Sequence, residues 1–190
     1  MKKVILFFIF YLLTSLCMAQ GIKVYFSPNG GCQKAVIAEI RKATQTIDIA
    51  MYYLTSRDIA QALVRAQENN VRVRIVLDQG QEIEHASKSG YLVKHGLEIK
   101  YHMGFGLMHN KFAIIDGKSL ITGSFNWTRT AEEKNEENLL IITDQETLKE
   151  YEERFNYLWN NSRLDSRNVK GADAFPGWFC GTFHLFCGNR

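Results

Sequence analysis

The chain has 190 residues, long enough for one compact domain with a buried core. Its 23 basic and 20 acidic residues give a net charge of +3, which falls to +1 (21 against 20) if Lys2 and Lys3 leave with the N terminus. Bulk charge at that level gives little support for a nucleic-acid partner, so any attraction to a polyanion must be local.

Residues 1–19 read as a signal peptide. "MKK" is a basic n-region, "VILFFIFYLLTSL" an apolar h-region, and small residues at Cys17 and Ala19 suit cleavage after Ala19. The apolar run from Val4 to Ala19 is 16 residues. That is short of the roughly 18 to 20 a spanning helix needs, which disfavours the alternative of a retained anchor. Leu16, directly before Cys17, is too bulky for a lipoprotein signal. Export to the periplasm or the medium is therefore expected, with no stable membrane association after cleavage. The exported chain keeps Cys32, Cys180 and Cys187. Cys180 and Cys187 are a candidate disulfide in an oxidising compartment, with buried or free thiols as the alternative. There is no CxxC pair and the five histidines are scattered, so no metal site and no cofactor are expected.

Along the chain, "IKVYFS" (22–27) alternates like a strand, and "CQKAVIAEIRKA" spaces Val36, Ile37, Ile40 and Ala43 as a helix does. "TIDIAMYYL" predicts a buried strand. Thr55 with Asp58 resembles a capping box opening the helix "DIAQALVRAQENN". "VRVRIVLD" predicts a strand, "EIEHASKSGYLVKHG" a less regular helix and "LEIKYHM" a strand. "HNKFAIIDG" and "KSLITGS" predict two strands of a hairpin turning at Asp116-Gly117. "EENLLIIT" adds a strand, and "DQETLKEYEERFNYLWNN" a long final helix with Asp144 as its cap. The order β-α-β-α-β-α-β-β-β-β-α predicts an α/β domain over 20–162, a mixed sheet with helices on both faces. Residues 163–190 shift to Gly, aromatic and Cys residues and read as a tail packed on the domain or a partner.

The stretch "HNKFAIIDGKSLITGSFN" carries the chemistry. Alternate residues on a strand share a face, so His109 and Lys111 point the same way. The hairpin returns Ser124 and Asn126 alongside. Singly, each has a bland reading: a tolerated polar residue on a strand, or turn chemistry. Together they set a nucleophile or base, a fixed cation and two hydrogen-bonding groups at one end of two neighbouring strands, which suits a phosphoryl group.

These spacings run His109-x-Lys111, four residues to Asp116, six more to Gly123-Ser124-x-Asn126, without gaps. They match the HKD signature of the phospholipase D superfamily, and Glu137 falls where its short, single-motif members carry an acidic residue. The likeness runs from "VYFSPNGGC" to the final helix, and the chain resembles the small exported bacterial nucleases of that superfamily. The resemblance implies a phosphodiesterase acting without metal through a phosphohistidine on His109. Lys111 and Asn126 would hold the non-bridging oxygens, and Ser124 would add a hydrogen bond. Glu137 would orient the imidazole. Asp116 and Gly123 read as structural members of the motif, Asp116 holding the turn after its strand.

The leaving oxygen needs a proton, and one motif supplies one histidine. His95 and His102 lie outside any such pattern. The resemblance implies a symmetric homodimer in which two His109 side chains share one site. The expected substrate is nucleic acid, DNA and possibly RNA, with Arg129 and Lys134 as candidate contacts to flanking phosphates and solvated surface as their alternative. Lys118 would reach phosphate only if its turn lay near the groove. Two other functions compete: hydrolysis of phospholipid head groups, and a non-catalytic dimeric nucleic-acid-binding protein.

Overall fold

The computed structural model describes residues 21–168. The signal segment 1–19, Cys17, Cys180 and Cys187 lie outside the described residues. Eight strands form one mixed sheet in the order β1-β7-β6-β5-β2-β3-β4-β8. They are β1 (Ile22–Ser27), β2 (Thr46–Met51), β3 (Arg72–Asp78), β4 (Glu98–His102), β5 (Lys111–Ile115), β6 (Ser119–Gly123), β7 (Glu137–Ile142) and β8 (Ser162–Leu164). The pairs β2–β3 and β3–β4 are parallel, and every other neighbour is antiparallel. The helices are α1 (Cys32–Ile40), α2 (Arg57–Glu68), α3 (Ser89–Lys94), α4 (Arg129–Glu133) and α5 (Gln145–Asn160).

Strand alternation divides the apolar side chains between two cores. On one face Ile47, Ile49, Ile75, Leu77, Ile99, Ala113 and Ile121 pack with Val36, Leu63 and Leu92 of α1, α2 and α3. On the other, Ala50, Val76, Phe112, Ile114 and Leu120 pack with Leu148, Phe155 and Leu158 of α5. This is the expected α/β architecture with helices on both faces. Asp144 caps α5 by accepting from the Thr147 N–H at 2.8 Å. Among the described residues no helix is long and apolar enough to cross a membrane.

Four local expectations need correction. Ser56, not Thr55, caps α2, accepting from Ile59 N–H. The Thr55 and Ser56 N–H groups both donate to the Trp127 carbonyl, at 3.0 and 2.9 Å, so the helix cannot begin earlier. The region after β3 is a 3₁₀ turn (Gln79–Glu82) and then only the short α3, because Asp78 pins the turn through the Gly80 N–H at 2.9 Å. α4 has no counterpart in the sequence reading, and its five residues are too few to show a period. Finally, the boundary after Ser162 falls inside β8, which pairs with β4. Just beyond it, Asp165 is fully buried and accepts from the Tyr101 hydroxyl at 2.9 Å and the Arg167 guanidinium at 2.6 Å. The domain therefore continues to at least Asn168.

Candidate active site

One end of the sheet gathers the polar residues of the motif. The register aligns Met51 with Lys111, Gly123 with Leu139, and Ser27 with Glu137. The C-terminal ends of β1, β2, β3 and β6 thus meet the N-terminal ends of β5 and β7.

β5 begins at Lys111, so His109 lies just outside the strand and not on it. The ladder reaches one residue further, since Tyr52 N–H donates to the Asn110 carbonyl at 2.9 Å. Lys111 then folds back: its ammonium lies 2.7 Å from the His109 carbonyl and 2.9 Å from His109 Nδ1. Lys111 is buried and His109 is exposed. Burial holds the Lys111 ammonium below the ordinary lysine value, with the Glu137 charge pulling the other way. A charged ammonium can only donate, so Nδ1 is the acceptor of this bond and a neutral ring carries its proton on Nε2. The approach to His109 is fixed from β3, where buried Asp78 accepts from Met108 N–H at 2.9 Å.

The other half comes from β6 and β7. Gly123 has φ +142°, and a Cβ there would stand 2.3 Å from the Asn138 carbonyl oxygen, so only glycine lets the strands close. Ser124 N–H donates to that same carbonyl at 3.1 Å, and Asn138 N–H donates to the Ser124 hydroxyl at 3.1 Å. The Ser124 hydroxyl in turn donates to Glu137 Oε2. Glu137 also accepts from Asn135 Nδ2 at 3.0 Å, and Ser27 at the end of β1 donates to the Asn135 carbonyl at 3.0 Å. Within the chain Glu137 therefore binds Ser124 and Asn135, and makes no hydrogen bond to the His109 ring of the same chain. The Asn126 amide oxygen is buried and takes no hydrogen bond from the described residues.

The remaining expected positions lie apart. Asp116 is at the far end of β5, and its carboxylate holds the entry to β2, not its own turn. It accepts from Thr44 N–H and Oγ1, each at 2.8 Å, from Gln45 N–H at 2.8 Å and from Thr46 N–H at 2.9 Å. Burial would raise its pKa, but these four bonds together hold it below the usual carboxylate value. The turn is made by the backbone, with positive φ at Asp116 (52°) and Gly117 (61°) and a bond from Lys118 N–H to Ile115 O at 2.9 Å. Lys118 thus sits at the end of the sheet opposite the site. Arg129 is exposed and paired with Glu133 at 2.6 Å, and Lys134 is exposed just after α4. His95 bonds the Tyr91 carbonyl at 2.8 Å, and His102 ends β4. The described residues hold no group of three His, Cys, Asp or Glu able to bind a metal ion.

Tyr52, Asp78, Ser27 and Asn135 were absent from the sequence reading. Asp78 at the end of a buried strand carried a faint signal, since an acid there needs donors. The others carried none.

Residues 36–159 match the family model described as cardiolipin synthase, PLD-like domain. The chain belongs to the phospholipase D superfamily. It is 38% identical over 130 residues to a phospholipase D of Rickettsia conorii, covering 68% of this chain and 65% of that protein. It is 36% identical over 118 residues to a mitochondrial cardiolipin hydrolase of Chlamydomonas reinhardtii, covering 62% and 53%. The chain thus spans less than two thirds of the length of these relatives. Among solved structures, it superposes on Nuc, a phospholipase D family member from Salmonella typhimurium, with TM-score 0.73 and 32% identity over 77% of this chain and 98% of that one. NucT from Helicobacter pylori gives TM-score 0.71 and 26% identity over 77% and 99%.

Proposed function

We propose that this chain is an exported, metal-independent phosphodiesterase that cleaves nucleic acid through a phosphohistidine on His109. The observation that carries the reading is the exposed His109 ring within 2.9 Å of the buried Lys111 ammonium. A phosphodiester brings non-bridging oxygens that are better acceptors for Lys111 than an imidazole nitrogen. As Lys111 turns to the phosphoryl group, Nδ1 is released to hold the ring proton and Nε2 becomes the nucleophile. The Nε2–P bond forms as the P–O bond to the leaving group breaks. Lys111 and Asn126 offset the charge on the equatorial oxygens, and Ser124, fixed by Glu137 and Asn138, supplies a further hydrogen bond.

The leaving oxygen takes its proton from a second imidazolium, His109 of another copy of this chain across a two-fold axis. That ring, now neutral, deprotonates water, which attacks phosphorus and breaks the P–N bond. The active unit is then a homodimer. Nucleic acid is favoured as substrate by the likeness to Nuc and NucT, which covers 98% and 99% of those chains and 77% of this one. Phospholipid is the second reading, favoured by the names of the Rickettsia and Chlamydomonas relatives. Arg129 and Lys134 are the candidate flanking contacts, once Arg129 exchanges Glu133 for phosphate.

The test is turnover in EDTA on plasmid DNA, RNA and phospholipid vesicles, with His109→Ala as control. Nucleic-acid cleavage that persists in EDTA and vanishes in the variant is expected. Cleavage of vesicles alone overturns the substrate, and loss in EDTA restored by Mg²⁺ overturns the mechanism. A fully active monomer by light scattering at the assay concentration overturns the shared site.

A further inference from the structure

We propose that Tyr52 is a positioning residue, the fixed aromatic wall that orients the His109 imidazole and keeps Lys111 charged. His109 is exposed and lies off the β5 ladder, so the strand does not hold its ring. The Tyr52 ring does, with centroids 4.4 Å apart and planes inclined by 51°. The same ring faces Lys111, whose Nζ lies 4.9 Å from its centroid. Tyr52 is tied to both residues through the backbone, by its N–H bond to the carbonyl of the intervening Asn110. Tyr53 packs edge-on against it, with centroids 4.4 Å apart.

The chemistry explains why an aromatic stands there. Lys111 is buried, and no ion pair to it forms among the described residues. Desolvation favours its neutral form, and the Glu137 charge at the start of β7 only partly opposes that. The electron-rich face of Tyr52 favours the charged form without supplying a carboxylate that would repel an incoming phosphodiester. The ring also packs against the imidazole, limiting its rotation without consuming a ring nitrogen. Both effects use the ring and not the hydroxyl, so phenylalanine should replace tyrosine and an aliphatic residue should not.

This inference rests on the proposed phosphohistidine chemistry, so its test has a substrate-free arm. Tyr52→Phe, Tyr52→Leu and Tyr52→Met are compared for kcat, KM and pH profile. The Lys111 ammonium and the His109 ring are titrated by NMR without substrate. Tyr52→Phe should match the wild type. Tyr52→Leu and Tyr52→Met should lose on the order of tenfold to a hundredfold in kcat with little change in KM. Their Lys111 titration and the alkaline limb of kcat should both move to lower pH. Wild-type kcat and Lys111 titration in either folded aliphatic variant overturn the assignment, as does a Tyr52→Phe defect equal to theirs. If the wild type proves inactive on every phosphodiester, the proposed function falls. The titrations then decide the role of Tyr52 alone.

Discussion

The β5–β6 hairpin has a charged motif residue at each end, and the two ends are built in opposite ways. At the turn, Asp116 accepts four hydrogen bonds from Thr44, Gln45 and Thr46. At the open end, the Lys111 ammonium leans on a histidine ring, a carbonyl and an aromatic face, with no carboxylate paired to it. Asp116 is saturated and therefore architectural. Lys111 is held weakly by partners that a phosphate oxygen would outcompete, and is therefore ready to change partners. Both pKa values are lowered, for contrary reasons: hydrogen bonds favour the charged carboxylate, and burial disfavours the charged ammonium.

Substitutions should separate the two ends. His109→Ala should abolish turnover while thermal unfolding stays within a few degrees of wild type, because the exposed ring packs little core. Measurable turnover at near-normal rate would remove His109 from the chemistry. Lys111→Ala should lower kcat by about a hundredfold or more, as removal of an oxyanion-type donor does, read by single-turnover kinetics. In the wild type, activity should also fall on the alkaline side below about pH 10.4, the ordinary lysine value, because burial lets Lys111 lose its proton early.

Asp116→Asn should do the reverse. It should cost about 1–3 kcal/mol of stability by denaturant titration and leave kcat per folded molecule unchanged. The folded pKa of Asp116 is depressed, so its contribution is present above the unfolded carboxylate value and lost as pH falls through the folded one. The stability gap between wild type and Asp116→Asn should therefore narrow below about pH 4. A gap independent of pH would mean that the carboxylate charge is not what holds the entry to β2. Smallest of all, Lys118→Ala, on the turn and exposed, should change stability by less than about 0.5 kcal/mol and leave activity untouched. A clear loss of nucleic-acid cleavage there would place substrate at the wrong end of the sheet.

The sequence by itself determined the strand and helix order of the main elements, since alternation and 3.6-residue spacing are local properties of a chain burying two faces of a sheet. It carried the spacing of the motif too, although His109 stands just before β5 and Ser124 just after β6, and Lys111 meets His109 only by folding back. What it could not supply were partners chosen by the packing of distant segments. Asp116 reads locally as a turn residue, yet its carboxylate is used by Thr44, 72 positions earlier. Glu137 reads as a partner for the imidazole, yet strand register sets it against Ser124 and Asn135. β8 and the buried Asp165 lie in a stretch whose composition suggests a tail, and only the free edge of β4 makes it part of the sheet. Tyr52 has no local mark at all. Its meaning comes from the β2–β5 pairing, which lays the residue after one strand against the residues entering another. Local pattern decides which residues face which way, and tertiary contact decides which of them meet.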